Sequence, residues 1–351
     1  MRLLNFLSRA RKGAEAEALT NDVEVKAPLI EDRCPLHVIA DDAELRVENS
    51  AVMVDGHRVL LREISHISLH GGARITARCL QALCQNDIPL IIHARGGYPL
   101  GWTVTATGSP ANRRAQYAAA DDPNLRLGIA QQIVDAKLRM TLRLARRRDA
   151  PKNVLRGLER ARNRVRRTKT IQELLGHEGR AAADWFGCWP TLLRAGGAAD
   201  GFSGRTRRPP RDAVNAAISY GYAVMVGSCA VAAQATGLDP AVGFLHAERA
   251  GRPALALDLA EPLRPAIVDA AILAGLNARE LRGEHFVGTA SSVHLTDDGR
   301  RVVLNLLERR LATGFRAKGC DFTWRDAAAS HAQHIRRMIR HRAPAPFVLM
   351  K

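Results

Sequence analysis

Glu44-Leu-Arg-Val47, Ala51-Val-Met-Val54 and Arg58-Val-Leu-Leu61 follow one another closely, with Asp55-Gly56 between the second run and the third. In each run apolar side chains recur at nearly every second position, the spacing of a half-buried strand. An Asp-Gly pair between two such runs is the composition of a tight hairpin turn. Working outward, Leu36-His-Val-Ile39 precedes this hairpin as a further strand, and Ile64-Ser-His-Ile-Ser-Leu69 follows it, ending at Gly71-Gly72. Ile75 to Asn86 reads as a short helix and Ile88-Pro-Leu-Ile-Ile92 as a strand, with Gly96-Gly97 and Gly101 closing further turns. Residues 34–108 are therefore expected to form a small β-sandwich with one inserted helix.

After Pro110 the pattern changes to helix. Leu125 to Arg148 is one long periodic segment in which Ile129, Ile133, Leu138, Leu142 and Leu144 are interleaved with Arg139, Arg143, Arg146, Arg147 and Arg148. A second basic stretch, Arg156 to Lys169, adds Arg160, Arg162, Arg164, Arg166 and Arg167. The loop from Gly196 to Pro210 carries Arg205, Arg207 and Arg208. The expected fold class is α+β, a sandwich-like domain at 34–108 followed by a larger all-α domain at 109–351. Residues 1–33, of mixed composition without a strong period, read as an extension that is partly helical or flexible.

The chain has 351 residues, 46% hydrophobic and only 5% aromatic, so a large core built from aliphatic and small side chains is within reach. Its 52 Lys and Arg against 35 Asp and Glu give a formal charge of +17. That excess suggests a polyanionic partner, since each neutralised phosphate releases a condensed counterion. The alternative is a merely basic solvated surface. On density, Arg143, Arg146, Arg147, Arg164, Arg166, Arg167, Arg207 and Arg208 are the candidate phosphate contacts. The six cysteines form no C-x-x-C pair and no zinc-finger spacing, which reads as reduced and cytoplasmic. The amphipathic start lacks a signal-peptide pattern, and no run of 18 apolar residues suggests a membrane span.

Two segments carry candidate chemistry. In Gly176-His-Glu-Gly-Arg-Ala-Ala-Ala-Asp184 a helix presents Glu178 among small residues, with Gly179 and Ala182 leaving room for a metal and a phosphate. A plain surface glutamate is the competing reading. Farther on, His246 is followed by Asp258, Glu261 and Arg264, and the last three drift slowly around one helical face. Asp258 with Glu261 also reads as a capping box, Asp258 at the N-cap and Glu261 at N3, and the two readings are compatible. Two acids and an imidazole form a mixed N/O set suited to Mg²⁺ or Mn²⁺, the imidazole favouring Mn²⁺.

These segments resemble one known family. Gly243-Phe-Leu-His246, Gly251-Arg-Pro253 and Ala256-Leu-Asp258-Leu-Ala-Glu261-Pro-Leu-Arg264-Pro265 are similar to the signature block of the universal CRISPR-associated adaptation integrase. So are Arg208-Pro-Pro-Arg-Asp-Ala-Val-Asn215-Ala-Ala-Ile-Ser219-Tyr-Gly221-Tyr222, Glu178-Gly-Arg-Ala-Ala182, Val293-His-Leu-Thr-Asp-Asp-Gly-Arg300, Leu306-Leu-Glu-Arg-Arg-Leu311 and Pro346-Phe347. Ile64 to Thr76 looks like the family's sandwich strand and following helix. Trp185 stands where the family often has Tyr, His285-Phe286 replaces a late acidic-aromatic pair, and residues 1–33 have no counterpart.

The resemblance implies a dimerising N-terminal sandwich and a helical domain with one Mg²⁺ or Mn²⁺ site per subunit. Carried over by position, Glu178, His246 and Glu261 would be the ligands, with Asp258 a further catalytic acid and Asn215, Ser219 and Arg264 lining the site. The implied activity is joining of short DNA fragments (prespacers) to a CRISPR repeat array by attack of a 3′-hydroxyl on a phosphodiester. The implied partners are double-stranded DNA, a second copy of the chain and a small ferredoxin-like adaptation subunit. Competing readings are an idle DNA-binding scaffold and a general nuclease of branched DNA.

Overall fold

The computed structural model describes residues 33–103, 109–206, 209–289, 291–317 and 320–347. The strands are β1 (Cys34–Val38), β2 (Glu44–Glu48), β3 (Ala51–Val54), β4 (His57–Leu60), β5 (Ile64–Leu69), β6 (Arg74–Ile75), β7 (Leu90–His93) and β8 (Pro99–Trp102), with helix α1 (Ala77–Gln85) between β6 and β7. They form two four-stranded sheets, ordered β1-β5-β7-β8 and β4-β3-β2-β6. Leu36, Val38, Ile67, Leu69 and Leu90 from the first sheet meet Leu45, Val52, Val54 and Val59 from the second in one core, closed by Cys79 and Leu83 of α1. This is the expected sandwich. Asp55 and Gly56 both have positive φ, as a tight turn joining twisted strands requires. Asn49-Ser50, between β2 and β3, makes a second such turn.

The remaining helices are α2 (Pro110–Asp121), α3 (Pro123–Arg147), α4 (Lys152–Val165), α5 (Ile171–Gly187), α6 (Trp189–Leu192), α7 (Ala213–Ala235), α8 (Ala254–Ala260), α9 (Ala270–Asn277), α10 (Asp297–Leu311) and α11 (Ala327–His341). Five of these starts are capped by side chains: Ser109, Asp122, Thr170, Asp212 and Thr296 each accept a hydrogen bond from the first turn of the helix that follows. α7 is apolar and long enough to cross a bilayer on composition alone, but 72% of its most apolar window is buried within the structure. The region is not purely helical. Antiparallel ribbons β9 (Phe286–Gly288) with β10 (Val293–Leu295), and β11 (Gly314–Ala317) with β12 (Cys320–Thr323), interrupt it. Strands this short do not generate a readable period beside long helices.

The two bodies meet across the outer face of the first sheet. That face presents His37, His66, Ser68, His70 and His93 to the helical domain, and α7 lies directly on it, with Gly227 leaving no room for a Cβ beside His93. His70 stacks on His93 at 4.4 Å and its Nδ1 lies 3.1 Å from the Tyr220 hydroxyl. His37 bridges His70 and Glu308, and Glu308 accepts from Arg325 at 2.7 Å.

Candidate active site

Leu174, Glu178, Ala181 and Trp185 recur at helical spacing on the inward face of α5. Glu178 is thus not a surface residue; its side chain is 13% exposed. The room expected beside it is arranged differently from the sequence reading. Gly179 faces open space, and the cavity next to Glu178 and Ala182 measures only about 10 Å³. Lys137 of α3 lines that cavity.

The Asp258–Glu261 capping box is not formed. Pro253 stands before the first residue of α8, Asp258 lies inside that helix and Glu261 follows its last residue. Three backbone N–H groups and one imidazole consume the Asp258 carboxylate instead. Oδ2 accepts from Phe244 N at 2.6 Å and Leu245 N at 3.0 Å, and Oδ1 accepts from His246 N at 3.0 Å and lies 2.7 Å from His246 Nδ1. A carboxylate at Nδ1 fixes the proton there and leaves Nε2 as the free lone pair. Nε2 points towards Glu261, 3.7 Å from Oε1. Gly243 begins this turn because a Cβ there would stand 2.8 Å from Asp258 Oδ2 and from the Ala254 backbone. Asp258, fully buried, is therefore a residue that positions His246.

Lys137, which the sequence reading passed over, holds the centre. Its ammonium bonds to Glu178 Oε1 and, at 2.5 Å, to Glu261 Oε2; Arg264 bonds to Glu261 Oε1. Burial alone would raise the Glu261 carboxyl, but Arg264, Lys137 and His246 outweigh it and hold the group below the usual carboxylate range. Burial works against the Lys137 charge too, and Glu261 with Glu178 reverse that, raising its pKa. The periodicity marked Lys137 in advance: Ile129, Ile133 and Lys137 are successive i+4 positions on the apolar stripe of α3. Among the described residues no three His, Cys, Asp or Glu side chains are gathered at ligand spacing. Glu178 and Glu261 converge on the ammonium, with His246 beside Glu261.

Asn215 and Ser219 lie one layer back. Asn215 Oδ1 accepts from Arg205 at 2.8 Å, and Ser219 Oγ accepts from the same guanidinium at 3.0 Å. The Arg205 and Arg264 guanidinium carbons lie 5.6 and 4.8 Å from the Tyr222 ring centre, and the Tyr222 hydroxyl donates to Asp269 at 2.5 Å. Trp185 Nε1 donates to the other Asp269 oxygen at 3.0 Å. Burial pushes the Asp269 carboxyl up to about 6. This layer fixes where Arg264 and α5 sit.

The candidate phosphate contacts divide by partner. Arg143, Arg147, Arg164 and Arg167 are exposed, with no carboxylate partner among the described residues. Arg146 pairs with Glu159 at 2.6 Å, and Arg166 comes within 4.0 Å of Asp135. Asp135, buried in α3, is bound by Arg139 and Arg162, which ties α4 to α3. Arg207 and Arg208 lie outside the described residues.

A family model described as CRISPR associated protein Cas1 matches residues 36–309. A CRISPR-associated endonuclease Cas1 of Thermus thermophilus is 35% identical over 285 residues, which cover 80% of this chain and 87% of that protein. A CRISPR-associated exonuclease Cas4/endonuclease Cas1 fusion of Geobacter sulfurreducens is 35% identical over 294 residues; 79% of this chain is covered, but the chain spans only 53% of the fusion's length. A solved CAS1 protein from Thermotoga maritima superposes with a TM-score of 0.77 at 22% identity, covering 89% of this chain and 98% of that one. A casposase bound to integration product gives 0.77 at 23% identity, with 89% and 92% covered. Both share the fold.

Proposed function

We propose that this chain, which belongs to the Cas1 family of CRISPR-associated proteins, joins short DNA fragments to a CRISPR repeat array by attack of a 3′-hydroxyl on a phosphodiester. The observation that carries this reading is the convergence of the Glu178 and Glu261 carboxylates on one buried cation, beside an imidazole whose Nε2 is kept free by Asp258. That donor set fits Mg²⁺ or Mn²⁺: two hard oxygen groups, one nitrogen, and a position already holding positive charge in the form of the Lys137 ammonium. Glu178, His246 and Glu261 would hold the ion. When bound it supplies Lewis-acid polarisation of the phosphoryl oxygen and charge stabilisation of the leaving oxygen.

The protein's own groups do the rest. Asp258 orients His246, Arg264 holds Glu261 in one rotamer, and Arg205 and Asp269 brace Arg264 through Tyr222. Displaced from the carboxylates, Lys137 becomes a second positive group for the phosphodiester, and positioning of the strands supplies much of the rate. Arg143, Arg147, Arg164 and Arg167 track the backbone of double-stranded DNA.

The reading includes partners. Two structures of the same fold are a casposase bound to integration product and a Cas6-RT-Cas1–Cas2 complex, which supports DNA and a further Cas subunit as partners here; a small ferredoxin-like adaptation subunit is the one we propose. Leu100 (69% exposed) and Ile92 (45%) on the sandwich are an apolar surface suited to a second copy of the chain. A reducing, cytoplasmic setting goes with this role.

The test is strand transfer of a labelled fragment with a free 3′-hydroxyl into a supercoiled plasmid carrying a repeat array, with Mn²⁺ and with EDTA. Wild type is expected to join only with the metal, and His246→Ala to lose joining by at least a hundredfold, in line with loss of a metal ligand. DNA binding without joining or cleavage, even with the small subunit added, would leave a scaffold. Cleavage of branched DNA with no joining would leave a general nuclease.

A further inference from the structure

We propose that Gln116, on α2, is a positioning residue: it holds the turn leading to His246 against α8, and so sets the imidazole relative to Asp258 and Glu261. The proposal rests on the functional reading above, because these are the groups assigned there to the metal and its support. α2 itself carries none of them.

Residues 236–246 run from the end of α7 to His246. Gly237, at φ +75°, brings the chain so close to α2 that a Cβ would meet Ser109 Cβ at 2.9 Å and Asn112 Nδ2 at 3.0 Å. Asn112 Nδ2 donates to the Thr236 carbonyl at 3.1 Å. One turn further along α2, the fully buried Gln116 engages the next bend with its whole amide. Nε2 donates to the Asp239 carbonyl at 2.9 Å and the Val242 carbonyl at 2.7 Å, and Oε1 accepts from Asp239 N at 2.7 Å. The flipped amide would set its oxygen against two carbonyls, so the partners fix its orientation. Neither a carboxylate nor an apolar side chain of the same length satisfies all three groups. The Tyr117 hydroxyl adds a hydrogen bond to Asp239 Oδ2 at 2.8 Å.

The bend that Gln116 holds also starts α8. Pro253 gives that helix no side-chain cap, and two N–H groups of its first turn, those of Leu255 and Ala256, reach the Pro240 carbonyl at 2.9 and 3.4 Å instead. α8 carries Asp258 and is followed by Glu261. Past the bend, Arg126 Nε donates to the Phe244 carbonyl at 3.0 Å, and Asp258 takes the N–H groups of Phe244, Leu245 and His246. The stretch bearing the imidazole and the helix bearing the carboxylates are thus tied at two ends, by Asp258 at the site and by Gln116 through Pro240 behind it. With the rear tie gone, α8 is free to shift along the turn, and the 3.7 Å between His246 Nε2 and Glu261 Oε1 is no longer set. A misplacement of about 1 Å at such a site costs about a hundredfold in rate.

The test compares wild type with Gln116→Met, which keeps the length and removes the amide, and with Leu304→Ala, a core cavity on α10. Hydrogen–deuterium exchange of the full chain in EDTA reads the tie itself. Peptides covering 239–246 and 254–261 are expected to exchange about tenfold faster in Gln116→Met, with the sandwich unchanged. Mn²⁺ affinity, read by electron paramagnetic resonance without DNA, is expected to fall about tenfold. Joining at saturating DNA falls about a hundredfold, with KM for DNA unchanged. Leu304→Ala, measured well below its unfolding temperature, keeps wild-type exchange at those peptides, Mn²⁺ affinity and joining. Gln116→Asn, whose amide falls one methylene short, gives the same losses in smaller degree and serves if the methionine variant does not fold. Wild-type exchange at 254–261 in the Gln116 variants overturns the proposal. So does faster exchange with undiminished Mn²⁺ affinity and joining, and so do equal losses in Leu304→Ala. A wild type that neither binds Mn²⁺ nor joins DNA sinks the functional reading alone, and the exchange arm still decides whether Gln116 holds the turn to α8.

Discussion

An ammonium buried between two carboxylates is stable only while all three groups stay charged and paired, because each has given up its hydration. Lys137 is in that situation with Glu178 and Glu261, with its side chain 12% exposed. On the proposed reading, the ammonium and a divalent ion held by the same two carboxylates would compete for one position, and the lysine would act as an internal counter-ion in the metal-free protein. Lys137→Met is expected to lower metal-free stability by about 3–5 kcal/mol, the cost of leaving buried charges without their partner. The same substitution should enlarge the thermal stabilisation produced by Mn²⁺, since no cation has to be displaced from the carboxylates. Thermal unfolding with and without Mn²⁺ measures both effects. A variant that is destabilised but gains no more from Mn²⁺ than wild type would mean that the lysine and the ion do not compete.

The turn from Gly243 to His246 and the helix α8 work as one unit, with Asp258 tying the turn down through three backbone N–H groups. Gly243→Ala places a methyl group 2.8 Å from Asp258 Oδ2 and the Ala254 backbone, neither of which is the end of a flexible chain. The turn must shift. The expected cost is about 1–3 kcal/mol of stability, as for other overpacked sites, together with a loss of joining out of proportion to it, since His246 moves with the turn. Strand transfer measured well below the unfolding temperature separates the two; full activity would show that the turn tolerates the shift. Much of this level was legible in the sequence. The alternation in β2, β3 and β4 and the Asp55-Gly56 turn are local patterns, and so is the stripe of α3. Asp258 was misplaced because the capping signature is also local: nothing in Asp-x-x-Glu tells where a helix started by Pro253 has already begun. The short ribbons β9–β10 and β11–β12 escaped for the same reason, and Arg205 acquires its place through contacts with Asn215, Ser219 and Tyr222 that the fold creates.

At the scale of the whole molecule, the sandwich and the helical domain share a wall of buried histidines. Burial first, then the neighbouring His37, hold His66 down to about 3; burial against the Gly97 carbonyl bond leaves His93 at about 4; burial also takes His331, in the helical core, to about 3. His70 is likewise pushed well below its ordinary value. The groups facing this wall are Tyr220 of α7, Arg300 and Glu308 of α10, and Arg325 ahead of α11. A lowered histidine pKa means that the unfolded chain binds a proton the native one refuses. Stability from these groups is thus full above about pH 6.5 and is lost as pH falls towards 4. Asp269, raised to about 6, acts in the opposite sense, because its native carboxyl takes up a proton before the unfolded one does. Four histidines outweigh one carboxyl, and the net loss between pH 7 and pH 5.5 is expected to be on the order of 4 kcal/mol. Urea unfolding at the two pH values measures it, and a His66→Leu variant should recover roughly a third of the dependence, its ring having no charge to acquire. A stability that stays level from pH 7 to pH 5.5 would mean that the histidine wall protonates in the native state, and that the contact between the two bodies opens without unfolding either.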